Sequence, residues 1–178
     1  GGGAIYGENG TSMNIFGSTI AGNSARYSGG GIFNADGDLT LASAKGGKLV
    51  LYFYPKDDTS GCTTEAKAFT ALAAEFAAAD TLVIGVSKDS IAAHAKFRAK
   101  HALGVALGSD PEGKVVEAYG VWVEKSLYGR KYMGIERATF LIGRDGKVVA
   151  NFSSKVKPDD PQLVAAIERE LKAAAPGK

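Results

Sequence analysis

Two short apolar runs constrain this chain more than any other feature. Leu49-Val50-Leu51-Tyr52-Phe53-Tyr54 is almost unbroken and stops at Pro55, and Thr81-Leu82-Val83-Ile84-Gly85-Val86 repeats the pattern. Runs of this length without polar alternation read as strands buried on both faces, the kind found in sheets covered by helices on each side. Between them Phe69, Leu72, Ala73 and Phe76 fall at i, i+3, i+4 and i+7, the stripe of an amphipathic helix. Asp89-Ser90 caps a further helix running to about His101, and a short strand is expected at 105–107. Asp110-Pro111 opens a helix through Val116 and Ala118, and 121–134 reads as a long loop. Segments 139–142 and 147–152 flank Asp145-Gly146 as a hairpin, and Asp160-Pro161 opens a last helix with the stripe Leu163, Val164, Ile167 and Leu171. The order β-α-β-α-β-α-β-β-α predicts an α/β architecture, a central mixed β-sheet flanked by helices.

The N-terminus has a different composition. Of 24 glycines, 11 lie in residues 1–37, where the only charged side chains are Glu8, Arg26 and Asp36. Gly1-Gly2-Gly3-Ala4-Ile5-Tyr6 is echoed by Gly29-Gly30-Gly31-Ile32-Phe33-Asn34, and with Ser18-Thr19-Ile20-Ala21-Gly22-Asn23-Ser24 the stretch resembles repeats of bacterial surface β-helix proteins. Fewer than two coils are present, where such repeats need about three to bury a core. Two units are expected: 1–35 as a Gly-rich β-helix-like extension without independent function, and 36–178 as the α/β domain. Phe33-Asn34-Ala35 and Asp36-Gly37-Asp38-Leu39-Thr40-Leu41 are suited to an entry hairpin for that domain.

Charge and cysteine content exclude several functions. With 21 Lys+Arg against 19 Asp+Glu, and both signs interspersed, no basic face for nucleic acid or an anionic membrane is expected. No apolar run approaches the length of a membrane span, and no secretory pattern opens the chain, so a cytoplasmic location is the expectation. Cys62 is the sole cysteine, which excludes an intrachain disulfide and a multi-thiolate zinc site. No phosphate-binding glycine loop, dinucleotide fingerprint or serine-hydrolase elbow occurs.

Cys62 follows a strand and a polar turn, and opens a helix. There the unpaired amides and the helix dipole favour a thiolate, the nucleophilic form of sulfur. A thioredoxin-type C-x-x-C would place a second thiol three residues earlier, but that position is Thr59. Exchange within the motif is therefore impossible, and a hydroxyl is expected to face the sulfur, where it can donate to S⁻ and accept from a peroxide O–H.

The run Pro55-Lys56-Asp57-Asp58-Thr59-Ser60-Gly61-Cys62-Thr63-Thr64-Glu65 closely resembles the P-x-x-x-T-x-x-C motif of peroxiredoxins, and Tyr52-Phe53-Tyr54-Pro55-Lys56-Asp57-Asp58 is similar to the peroxiredoxin Q, or bacterioferritin comigratory protein, subfamily. The likeness continues through Gly85-Val86-Ser87, Ser109-Asp110-Pro111, Ala118-Tyr119-Gly120-Val121-Trp122, Tyr128-Gly129-Arg130 and Gly134-Ile135-Glu136-Arg137-Ala138-Thr139-Phe140-Leu141-Ile142, covering about 38–172. It implies a thioredoxin-like fold and a thiol-dependent peroxidase acting on hydrogen peroxide and organic hydroperoxides. By residue, it implies a peroxidatic Cys62, a hydrogen-bonding Thr59, shielding by Pro55, and thiolate and peroxide stabilisation by Arg137, helped by the backbone amides of Gly61 and Cys62. The subfamily often carries a resolving cysteine five residues on, where this chain has Lys67. The sequence thus looks like a one-cysteine enzyme, in which an external thiol must reduce the sulfenic acid: thioredoxin, glutaredoxin or a low-molecular-weight thiol such as glutathione. A monomer without cofactor or metal is the expectation.

Other residues read more plainly. His94 and His101 stand two helical turns apart, about 10 Å at 1.5 Å per residue, too far to share a metal, and are expected to be solvated. Asp57 and Asp58 are expected to face solvent without a partner cluster, Glu65 to complement the helix dipole, and Tyr119 and Trp122 to line the core or a pocket. The sequons at Asn9 and Asn151 have no secretory context. Two other functional classes compete with the peroxidase: a catalytically silent fusion of a surface-protein fragment with a redox domain, and surface adhesion through 1–41.

Overall fold

The computed structural model describes residues 47–144, 148–153, 157–158 and 160–173, and the backbone of four short strands before them. Those strands are β1 (Met13–Ile15), β2 (Ser18–Ile20), β3 (Ile32–Asn34) and β4 (Gly37–Leu39). There follow β5 (Lys48–Phe53), α1 (Ser60–Ala71), α2 (Ala73–Ala78), β6 (Thr81–Ser87), α3 (Ile91–His101), β7 (Ala106–Ser109) and α4 (Lys114–Ala118). The chain continues through β8 (Trp122–Leu127), β9 (Arg130–Ile135), β10 (Ala138–Ile142), β11 (Val148–Ser153) and α5 (Pro161–Ala173).

Seven strands form one mixed sheet in the order β11-β10-β5-β6-β7-β3-β4. The two apolar runs lie at its centre as parallel neighbours, Leu49 beside Leu82 and Phe53 beside Val86. β7 adds in parallel to β6, while on the other side β10 pairs antiparallel with β5 and β11 antiparallel with β10. The β3–β4 hairpin joins the sheet through Phe33 opposite Ser109 of β7. β1 and β2 form a separate antiparallel ribbon, unlike the parallel stacking of β-helix coils. The remainder of the β-helix-like stretch, and Asp145-Gly146 of the expected turn, lie outside the described residues.

Alternation along β5 assigns its side chains to two cores. Leu49, Leu51 and Phe53 pack with Val115 and Val116 of α4 and with Tyr119 just after it, while Val50, Tyr52 and Tyr54 pack with Cys62, Ala66 and Phe69 of α1, Phe97 of α3 and Leu163 of α5. The mixed sheet flanked by helices is the thioredoxin-like α/β fold expected. Among the described residues no helix is long and apolar enough to cross a membrane.

Three local readings are corrected. The expected loop at 121–134 is the β8–β9 hairpin, turned by Tyr128 and Gly129, both with positive φ (48° and 76°), as a tight two-residue hairpin requires. Its outer half is exposed and mixes charges with apolar residues, which hides the strand alternation. The helix after Cys62 breaks at Leu72 into α1 and α2. Finally, α4 begins at Lys114 and not at Pro111, because the Asp110 carboxylate reaches over the turn to accept the Val115 and Val116 amides at 3.0 and 2.9 Å.

Candidate active site

The sheet places Cys62 by ending β5 at the point where the chain turns back over it. Pro55 terminates the strand, residues 55–59 form an outward loop, and Thr59, with extended backbone (φ −89°, ψ 155°), becomes the N-cap of α1. The first α1 amide bond runs from Thr63 N–H to Thr59 O at 2.9 Å, so the Ser60, Gly61 and Cys62 amides precede any intrahelical carbonyl. Cys62 is the third helical residue, its side chain turned inward and its surface 2% exposed.

Arg137 reaches the sulfur from the β9–β10 connection. Its Nη2 donates to Cys62 Sγ at 3.2 Å, and its Nη1 donates to Glu65 Oε2 at 2.9 Å. One planar guanidinium thus links the thiol to a carboxylate one turn further along α1. A lysine ammonium, a point donor, cannot reproduce that fork. Burial pushes the Glu65 carboxyl above its ordinary range, with the adjacent guanidinium pulling it back in part. For Arg137, burial disfavours the charge, but Glu65 and the Cys62 sulfur outweigh it and raise its pKa. The guanidinium therefore remains a cation beside the sulfur.

The wall behind this group is aromatic. Tyr52 is fully buried, stacks on Phe69 at 4.5 Å between ring centroids, and its hydroxyl has no hydrogen-bond partner among the described residues. Its pKa lies well above the phenol range because of burial, then the charges of Glu65, Cys62 and Asp57. Gly85 makes room for this ring: a Cβ there would lie 2.5 Å from Tyr52 Cζ.

The residues singled out from sequence fall as follows. Cys62 and Arg137 are in contact, and Gly61 lies beside them, an added Cβ falling 3.5 Å from Arg137 Nη2. The Thr59 hydroxyl donates to Lys56 O at 3.0 Å and makes no hydrogen bond to the sulfur, so it turns into its own loop instead of facing S⁻ as expected. Pro55 and Lys67 are exposed. Glu65 lies in the second turn, not the first, and pairs with Arg137 instead of the dipole. The solvated reading is overturned for His94 and Asp57, while Asp58 faces solvent as expected but has partners. His94 and the Asp57 side chain are 3% and 7% exposed and lie 2.7 Å apart, while His101 and Lys100 both bond Asp58, at 2.7 and 2.6 Å. The seven-residue spacing of the histidines and the adjacency of the two aspartates were visible in the sequence. That α3 packs beside the loop was not.

Comparison with known proteins finds relatives of both sequence and fold. The AhpC/TSA family matches residues 31–151. A putative peroxiredoxin bcp of Coxiella burnetii is 49% identical over 121 residues, spanning 68% of this chain and 80% of that protein. The peroxiredoxin Bcp of Bacillus subtilis is 49% identical over 122 residues, spanning 68% and 77%. Among solved structures, a Xylella fastidiosa PrxQ mutant superposes with a TM-score of 0.72 at 33% identity, covering 93% of this chain and all (100%) of that one. The Xanthomonas campestris bacterioferritin comigratory protein, described for its alkyl peroxide reduction activity, gives 0.68 at 40% identity, covering 80% and 90%.

Proposed function

Because the chain belongs to the AhpC/TSA family, as a peroxiredoxin of the Bcp type, we propose that Cys62 is its peroxidatic nucleophile and that Thr59, Arg137, Pro55 and the Gly61 and Cys62 amides complete the site. The enzyme is a thiol-dependent peroxidase of the one-cysteine type. The observation that carries the assignment is the Arg137 fork, which holds a permanent cation on the sulfur and anchors it through Glu65. The Cys62 thiolate attacks one oxygen of ROOH; the S–O bond forms as the O–O bond breaks, and RO⁻ takes a proton to leave as an alcohol, or as water from hydrogen peroxide. Arg137 and the first amides of α1 stabilise the charge moving onto oxygen. In this reading the Thr59 hydroxyl, which donates to Lys56 O, rotates toward the sulfur to accept the peroxide O–H, and Pro55 shields the reacting atoms.

The product is a sulfenic acid with no second cysteine to meet it. An external thiol attacks the sulfur and releases water, and a second thiol then displaces Cys62 from the mixed disulfide. Thioredoxin, glutaredoxin or a low-molecular-weight thiol supplies these equivalents, which suits a monomer in the cytoplasm, where thiols are kept reduced. Residues 1–35 are a Gly-rich extension, similar in sequence to surface-protein β-helix repeats, and 36–178 is the catalytic domain. Stopped-flow peroxide consumption by the full chain, by Cys62→Ser and by a chain lacking residues 1–30 tests all of this. One peroxide per protein without reductant, none with Cys62→Ser, and unchanged rate after truncation are expected. Equal background consumption by the full chain and Cys62→Ser would favour the silent fusion, and sustained turnover without any thiol would exclude the one-cysteine cycle.

A further inference from the structure

The loop that delivers Cys62 is tied down by a buried network outside the reacting group. Asp57 Oδ1 accepts the Tyr54 hydroxyl at 2.6 Å, Asp57 Oδ2 lies 2.7 Å from His94 Nδ1, and the Asp57 amide donates to Asp89 Oδ2 at 2.9 Å. Asp89 Oδ2 also accepts the Ser87 hydroxyl at 2.6 Å. His94 Nε2 faces the Gly108 carbonyl of β7 at 3.0 Å. A carbonyl only accepts, so Nε2 carries a proton, while Nδ1 shares a hydrogen bond with the Asp57 carboxyl. His94 thereby bridges the catalytic loop to the sheet through both ring nitrogens. The ligand atoms of Asp57, Asp89 and His94 cluster within 4.8 Å, as a cation site would require. Both ring nitrogens of His94 are already engaged by protein oxygens, Asp57 Oδ2 and Gly108 O, so the cluster is held together by its own hydrogen bonds.

A second tie lies two turns along α3, where Lys100 and His101 hold Asp58, itself at φ +59°. This one is exposed and weaker, since water competes for it. The buried pair is the stronger hold, because separating it leaves the polar atoms of Asp57 and His94 without partners in the interior.

Resting on the peroxidase reading above, the geometry points to His94 as a positioning residue for Cys62. Through Asp57 it fixes the 55–59 loop, and hence the first turn of α1, in the arrangement where Sγ meets Arg137. That arrangement has opposite consequences for the two halves of the cycle. Peroxide oxidation needs Sγ and Arg137 held together. Reduction needs a bulkier thiol to reach a sulfur whose residue is 2% exposed, so the first turn of α1 must move away and the hold on the loop must break. His94 accordingly speeds oxidation and slows reduction.

The test compares wild type, Cys62→Ser, His94→Gln, Asp57→Asn and the double variant His94→Gln with Asp57→Asn. Three quantities are measured: amide exchange of residues 57–66, single-turnover oxidation by hydrogen peroxide, and reduction of the pre-formed sulfenic acid by dithiothreitol. In His94→Gln, exchange at 57–66 should rise while β6 amides stay protected, oxidation should slow about tenfold or more, and reduction should quicken. Asp57→Asn should behave alike, and the double variant should add little. Unchanged exchange at 57–66 would remove the hold on the loop. Faster exchange with both half-reactions slowed in parallel would leave a purely structural role and overturn the positioning one. Wild-type consumption no greater than that of Cys62→Ser would instead overturn the peroxidase reading, while the exchange data still decide whether His94 holds the loop.

Discussion

At the level of single residues, the site turns on what one guanidinium can do that one ammonium cannot. Arg137→Lys keeps the charge but cannot bond Glu65 and the sulfur together, so single-turnover oxidation should fall about 10²–10³-fold, the usual cost of losing a transition-state donor. Stopped-flow fluorescence with hydrogen peroxide checks this, and a loss below threefold would mean that charge alone suffices. Cys62 and Arg137 were both legible in the sequence, one from its place after a strand and turn, the other from the family's ordered motifs. Glu65 was misread because a carboxylate near a helix start has a ready explanation in the dipole. Only the fold shows that this face of α1 turns toward the β9–β10 connection.

At the level of elements, β5 and β6 were recoverable because burial on both faces leaves an apolar run with no competing interpretation. The β8–β9 hairpin was not, since strands with exposed faces carry charges such as Lys125 and Lys131 at positions a buried strand would fill with apolar residues. The contact between β5 and β6 sets a sharp limit on substitution. Gly85→Ala would place a methyl 2.5 Å from the buried Tyr52 ring, which cannot swing away because it is stacked on Phe69. Overpacking of this kind costs about 1–3 kcal/mol. Thermal denaturation should show a lowered Tm, and the displaced ring should disturb the environment of Cys62 on the same core face. An unchanged Tm would show that Tyr52 relocates freely.

For the molecule as a whole, the buried carboxyls set how stability responds to pH. Glu65 and Asp110 both lie above the ordinary carboxylate range, chiefly through burial, which Arg137 opposes at Glu65 and the Val116 and Val115 amides oppose at Asp110. A carboxyl with a raised folded pKa stabilises the fold below its unfolded pKa, and that contribution is lost as pH rises through the folded value. Asp58 has the opposite sign: hydrogen bonds from His101 and then Lys100 pull it down, so its contribution is present at neutral pH and lost in acid. Glu65→Gln removes one raised carboxyl. Measured by urea unfolding, its stability relative to wild type should therefore improve as pH rises from about 4 toward neutrality. A difference that is flat or runs the other way would contradict the burial of Glu65.

The solitary, enclosed Cys62 also determines how the protein behaves within a population of molecules. With no thiol of its own to close the cycle, each oxidised copy waits for a collision with one from outside. The fraction standing oxidised at any moment is then fixed by the ratio of peroxide to available thiol, so the protein works as a gauge of that ratio as well as a consumer of peroxide.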